Sequence, residues 1–353
     1  MKKDSLNTWI KSGTPWIWMN AGAVSIAVIM TLGLLAVIAV RGLEHFWPSD
    51  VVVADYQIPG AEPRVMAGEV VQVEEVPRAR LAASGLPVDV EGGEFMTREL
   101  LKVGNREVYG ADFSWVVGEW LSNQRKPADL VALERREWGN FYGELLAVKE
   151  EGNLVAEGAA AWGELQQRID RIDELHARIA RLEAVDIGRI NHGLERLRLK
   201  TRKLELDGQL DAAAQAALDA ERAEWDAEYK QLESQLVALY GEFNRDSVTM
   251  RTMDGQEKEI SLGKVVRAYR PNAMSLPEKM GFYFAKLWEF VSDEPREANT
   301  EGGIFPAIFG TVLMTLIMAV IVTPFGVIAA VYLREYAKQG VLTRIIRIAV
   351  NNL

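Results

Sequence analysis

The residues able to do chemistry are few and dispersed. His45, His176 and His192 lie far apart, and neither an HExxH nor a GxSxG pattern occurs. No GxxxxGK[ST] loop is present to cradle nucleotide phosphates, so ATP hydrolysis by a P-loop is not written into this chain. Cysteine is absent, which excludes disulfides, zinc–thiolate sites and iron–sulfur clusters. No catalytic, metal-ligating or cofactor-binding set emerges. The densest charged feature is basic: Arg189, Arg196, Arg198, Lys200, Arg202 and Lys203. Such a cluster suits an acidic partner or a membrane surface. Its plainer use is a solvated helix face balanced by Glu195, Glu205 and Asp207.

A different chemistry is suggested by Pro306, Thr323, Pro324 and Gly326, which share one long apolar run. Proline removes a backbone donor and bends or breaks a helix, and broken helices border transport pathways. These four are the candidate helix-break or pathway positions, with a simple packing kink as the alternative. An anion pathway calls for basic or donor side chains. The run supplies only Thr311, Thr315 and Thr323.

That run also dictates where everything else must sit. No charged side chain occurs from Gly302 to Leu333, and roughly 20 apolar residues suffice for a helix to cross a bilayer. A second uncharged run covers residues 16–40, too long for a cleaved signal. Trp16, Trp18, Phe46 and Trp47 flank it, where aromatic belts form. Lys2, Lys3 and Lys11 precede the first run; Arg334, Lys338, Arg344 and Arg347 follow the second. The positive-inside rule then places both flanks in the cytoplasm. Residues from about 41 to 303 then lie outside, which is the periplasm if the cell has two membranes. The net charge of -10 argues against nucleic acid as a partner.

The predicted architecture is an α-helical membrane protein with a mixed extracytoplasmic region: two transmembrane helices, a small β-rich domain and an inserted antiparallel coiled-coil hairpin. Residues 1–15 form a cytoplasmic N-terminus, 16–40 the first transmembrane helix and 41–126 a β-rich segment. Strands are predicted for Glu69–Val76 and for Glu99–Val103 paired with Arg106–Tyr109. Trp162, Leu165, Ile169, Ile172, Leu175 and Ile179 recur at threes and fours, as do Trp225, Tyr229, Leu232, Leu236 and Leu239. This seam predicts a coiled coil over 127–243, turning at Gly188 or Gly193, with Asp207-Gly208 as the other break. Residues 244–274 return as a β-hairpin around Asp254-Gly255. Ser275-Leu276-Pro277-Glu278 resembles a capping box, opening an amphipathic helix and linker over 275–300 that suits either the membrane interface or a core. The second transmembrane helix covers 301–333, and 334–353 begin a cytoplasmic segment.

Three blocks around the second span carry a resemblance: Asn299-Thr300-Glu301-Gly302-Gly303, then Thr323-Pro324-Phe325-Gly326, then Tyr332-Leu333-Arg334-Glu335-Tyr336. In order and spacing they resemble the start of the permease core of phosphate ABC importers, the PstA-type inner-membrane subunit. The resemblance implies a non-enzymatic transport subunit that works with a second permease subunit. Cytoplasmic ATPase subunits and a periplasmic phosphate-binding protein would be its other partners, and phosphate its substrate. It also implies a chain that continues past Leu353, into further spans and a Glu-Ala-Ala coupling loop. The other layouts compatible with the residues are a membrane-anchored periplasmic adaptor similar to membrane fusion proteins, and a two-span sensor.

Overall fold

The computed structural model describes residues 9, 11–89, 91–297, 301–337 and 340–352. They form two compact units, Met1–Tyr283 and Phe284–Leu353.

The first unit opens with helix α1 (Thr14–Glu44), with Pro15 in its first turn. Two antiparallel sheets follow. The first comprises β1 (Val51–Tyr56), β2 (Arg64–Pro77), β3 (Phe95–Lys102), β4 (Phe113–Val117) and β5 (Leu121–Arg125), in the order β4-β3-β2-β1-β5. β2 stops at Pro77, which has no N–H to give a ladder. The helical turn α2 (Arg78–Ala83) comes next. The predicted strand at Arg106–Tyr109 is instead a helical turn, α3 (Arg106–Tyr109). Asn105 adopts φ 51 and its carbonyl accepts from the N–H groups of Val108 and Tyr109, so the chain coils rather than returning as a strand.

The second sheet holds β6 (Val131–Arg135), β7 (Phe141–Glu150), β8 (Asn153–Glu157), β9 (Asp246–Arg251), β10 (Glu257–Ser261) and β11 (Val265–Tyr269). Its order is β10-β9-β7-β6-β11, with β8 on β7. β9 and β10 pair from Arg251↔Glu257 to Ser247↔Ser261 across the Asp254-Gly255 turn. Tyr142 ties the two sheets together. Its hydroxyl donates to Glu69 Oε1 at 2.5 Å, and its backbone exchanges hydrogen bonds with the Asn105 side chain at 2.7 and 2.9 Å.

The helical insertion between β8 and β9 comprises α4 (Ala159–Arg181), a π-helical segment Leu182–Ile187, α5 (Gly188–Leu206) and the returning α6 (Ala212–Phe243). Ala161, Leu165, Ile169, Ile172, Leu175 and Ile179 of α4 are buried in one cluster with Val131, Phe141, Val148 and Met250 of the sheet and Leu262 in the turn after β10. Each fully buried Leu or Ile stabilises by about 1.5–3 kcal/mol. The seam of α4 is therefore the core of a helix-on-sheet layer.

These findings overturn the predicted fold class. The chain is a mixed α/β protein built on large antiparallel sheets, plus a third sheet of two strands. Residues 131–157 are strands rather than coiled coil, and a π-helical segment breaks the seam of the first arm. The reversal is at residues 207–211, where Asp211 caps α6 by accepting from the Ala214 N–H at 2.7 Å. Gly188 and Gly193 lie within α5. Gly193 is there for space: a Cβ would stand 2.8 Å from the Trp225 ring.

Helix α7 (Leu276–Ser292) starts in the first unit and ends in the second. Ser275 N–H and Oγ both donate to Glu278 Oε2 at 2.7 Å, fixing its N-terminus. The second unit continues with β12 (Pro295–Arg296), β13 (Glu301–Gly302), α8 (Phe305–Val331), a π-helical turn Tyr332–Tyr336 and α9 (Val341–Asn352). The helix predicted over 301–333 begins at Phe305, because Glu301 and Gly302 pair with Arg296 and Pro295. Among the described residues, α1 and the helix Phe305–Tyr336 are long and apolar enough to cross a membrane. Neither apolar window has a buried residue.

Candidate membrane-border site

The Glu301-Gly302-Gly303 block forms a joint at the start of α8. Gly302 takes φ +85, and a Cβ on Gly303 would lie 2.1 Å from the Asp293 carbonyl oxygen. Only glycine lets the chain come this close to the end of α7. The returning backbone then satisfies carbonyls at that end. Gly303 N–H donates to Glu294 O at 3.1 Å, Ile304 N–H to Phe290 O at 2.8 Å and Phe305 N–H to Asp293 O at 3.2 Å. Helix C-termini leave such carbonyls without intrahelical partners. Glu289 adds a charged clasp, accepting from Arg296 at 2.8 Å with Lys286 at 3.5 Å. Asn299 and Thr300 lie outside the described residues.

The four pathway candidates do not converge. Pro306 sits in the first turn of α8, where it disturbs no intrahelical bond. Thr323, Pro324 and Gly326 lie within one turn of each other near the far end, and the helix continues through Pro324 to Val331. Seventeen residues from Pro306 to Thr323 correspond to about 26 Å along the axis. Thr311 and Thr315 donate their hydroxyls to Ala307 O at 2.7 Å and Thr311 O at 2.8 Å, back into their own helix. Arg334, Glu335 and Tyr336 occupy the π-helical turn, with Arg334 Nε 3.4 Å from Glu335 Oε1. Lys338 lies outside the described residues.

In the first unit, a shallow cleft is lined by Trp47, Asp50, Val70, Lys126 and Lys279. Lys126 donates to Asp50 Oδ2 at 2.8 Å, and Lys279 bonds Oδ1. Hydrogen bonds from the two ammonium groups hold the Asp50 carboxyl below the usual carboxylate range. Asn272, which carries no local sequence signal, clamps Val51 N–H, Val51 O and Pro127 O with three 2.9 Å bonds.

The basic cluster on α5 is largely paired on the surface. Arg198 binds Glu195 at 2.8 Å, Lys200 binds Glu221 at 3.2 Å, Arg202 binds Glu205 at 2.9 Å, and Arg189 meets Glu228. Exposed pairs of this kind contribute about 0–1 kcal/mol. The arm's base is different. Asp246 is fully buried and accepts from Arg168 at 2.6 Å and Arg171 at 2.7 Å, while Arg168 also binds Glu150 and Glu164. This network locks α4 to β9 and was not visible in the sequence, because its members are up to 96 positions apart. Burial, with the Asp254 charge adding, pushes the Tyr109 hydroxyl up to about 12. Among the described residues no group of three or more metal-ligating side chains converges.

Compared with family models, curated proteins and solved structures, the chain has no match in any of the three.

Proposed function

We propose that this chain is a membrane-embedded permease subunit of an ABC-type phosphate importer, forming part of the translocation pathway with a second permease subunit. The observation that carries the reading is the joint at Glu301-Gly302-Gly303. A block singled out by resemblance has a specific physical task there, delivering the chain from α7 into a helix long and apolar enough to span a bilayer. The Thr323–Gly326 and Tyr332–Tyr336 blocks follow on that same helix and its terminal turn.

In this reading α1 and α8 cross the bacterial plasma membrane and the sheets and helical arm face the periplasm. Lys11 before α1 and Arg334, Arg344 and Arg347 after α8 support that orientation. A periplasmic binding protein delivers phosphate, and ATP is hydrolysed by separate cytoplasmic subunits. α8 carries no charged residue, so it shapes the wall of the pathway while other parts of the assembled permease supply the anion's ligands.

The test is uptake of radiolabelled phosphate at low external concentration by cells lacking the gene, with the intact gene returned as control. Uptake should fall on deletion and recover on complementation. Unchanged uptake would remove the importer reading. It would favour the second one, a periplasmic adaptor, for which the helical insertion between β8 and β9 speaks.

A further inference from the structure

The end of α7 presents two unlike faces. Phe284, Trp288 and Val291 are exposed, Trp288 by 73%. At 100° per residue, their spacing of four and three places them within about 60° of one another on the helix. The opposite face carries Lys286 and Glu289, whose side chains are 18% and 12% exposed and tied to each other, with Arg296 on Glu289. The charged groups are thus drawn inward and an apolar aromatic stripe is turned outward.

The joint fixes where that stripe must lie. Three backbone hydrogen bonds hold Gly303, Ile304 and Phe305, the residues that lead into α8, directly to carbonyls at the C-terminal end of α7. A helix start and a helix end bonded in this way share one depth. Where α8 enters a bilayer, that depth is the border zone, which adds about 5–7 Å on each side of a roughly 30 Å hydrocarbon core. Trp and other amphipathic aromatics concentrate there. Phe305 and Phe309, stacked at 6.1 Å, begin α8 at the same level.

We propose that the second half of α7 docks on the lipid interface, with Phe284, Trp288 and Val291 in contact with lipid at the point where α8 enters the membrane. This rests on α8 being a spanning helix but not on phosphate as the substrate.

The chain has no cysteine, so single-cysteine variants give clean spin-label sites in the full-length protein reconstituted into phosphatidylethanolamine–phosphatidylglycerol vesicles. Labels at Phe284→Cys, Trp288→Cys and Val291→Cys are compared with Gln209→Cys and Asp219→Cys, exposed off-stripe positions on the helical insertion, and with Val320→Cys inside α8. Collisions with oxygen report lipid; collisions with a water-soluble nickel chelate report solvent. The stripe should show an oxygen-to-nickel ratio several-fold above the off-stripe positions, approaching that at 320. If position 320 meets oxygen while the stripe meets nickel, the interface proposal fails and the spanning helix stands. Shielding of the stripe from both reagents means a protein partner covers it, which also overturns the proposal. Nickel access at position 320 itself removes the spanning reading and the proposal with it.

Discussion

Helices α4 and α8 are both long, yet they meet solvent in opposite ways. α4 buries six apolar residues against a sheet and its partner helix, draws Arg168 into the ion network at its base and leaves its other face to water. α8 buries none and carries no charge over 27 residues. Exposed apolar patches on soluble monomers are normally no larger than a few hundred Å², and α8 is apolar around its whole circumference. The first helix is stabilised by its own chain. The second has no buried residue and is long and apolar enough to cross a bilayer.

Breaking the internal side of this comparison should have the largest effect. Asp246→Ala strands Arg168 and Arg171 without their buried carboxylate, and removing one partner of a buried ion network costs about 3–5 kcal/mol. Chemical denaturation of the detergent-solubilised protein should show a loss of this size; a loss below 1 kcal/mol, the scale of an exposed pair, would mean the network does not anchor α4. On the membrane side, Met318→Arg puts a charge at the middle of α8, where insertion is disfavoured by about 2.5–3.5 kcal/mol. The membrane-integrated fraction should drop sharply, and an unchanged fraction would take α8 out of the hydrocarbon core.

A smaller effect sharpens the account of the arm. Gly193→Ala forces a methyl group against the Trp225 ring, and overpacking of this kind costs about 1–3 kcal/mol. The same substitution at Gly163, where a Cβ would meet nothing within 4 Å, should stabilise slightly. Equal responses at the two sites would refute the packing role of Gly193.

The smallest expected effect is on acid stability. Asp50 is held below its ordinary 3.8 by Lys126 and Lys279. A depressed carboxylate stabilises the fold above its unfolded pKa, and that contribution is lost as pH falls through the lower folded value. Asp50→Asn should therefore lower the melting temperature modestly at neutral pH and flatten its decline below about pH 4. Parallel curves for the two proteins would show that the cluster contributes nothing.

What the sequence disclosed follows the same division. The apolar helices were legible because an uncharged run of that length has few structural outlets. The Asp254-Gly255 hairpin and the Ser275–Glu278 cap were legible because each is a local rule written in adjacent residues. The strand Val131–Arg135 was not. All five of its residues are buried, so it lacks the alternation of a half-exposed strand, and it ends in Glu134 and Arg135. Arg135 is satisfied by Gly139 O, Trp138 O and Glu107, partners that only the fold assembles. The seam of α4 was real, but periodicity cannot say whether a sheet or a helix covers it. At the start of α8, Gly302 and Gly303 stood out as a sequence block, while their close approach to Asp293 and Glu294 became visible only in three dimensions.

The most direct test of the membrane account is labelling with an impermeant maleimide in intact spheroplasts. Gln209→Cys, at the reversal between α5 and α6, and Lys11→Cys, just before α1, are the two reporters. The account predicts that position 209 is labelled in intact spheroplasts and position 11 only after lysis. Labelling of position 11 in intact spheroplasts, or protection of position 209 until lysis, would contradict it.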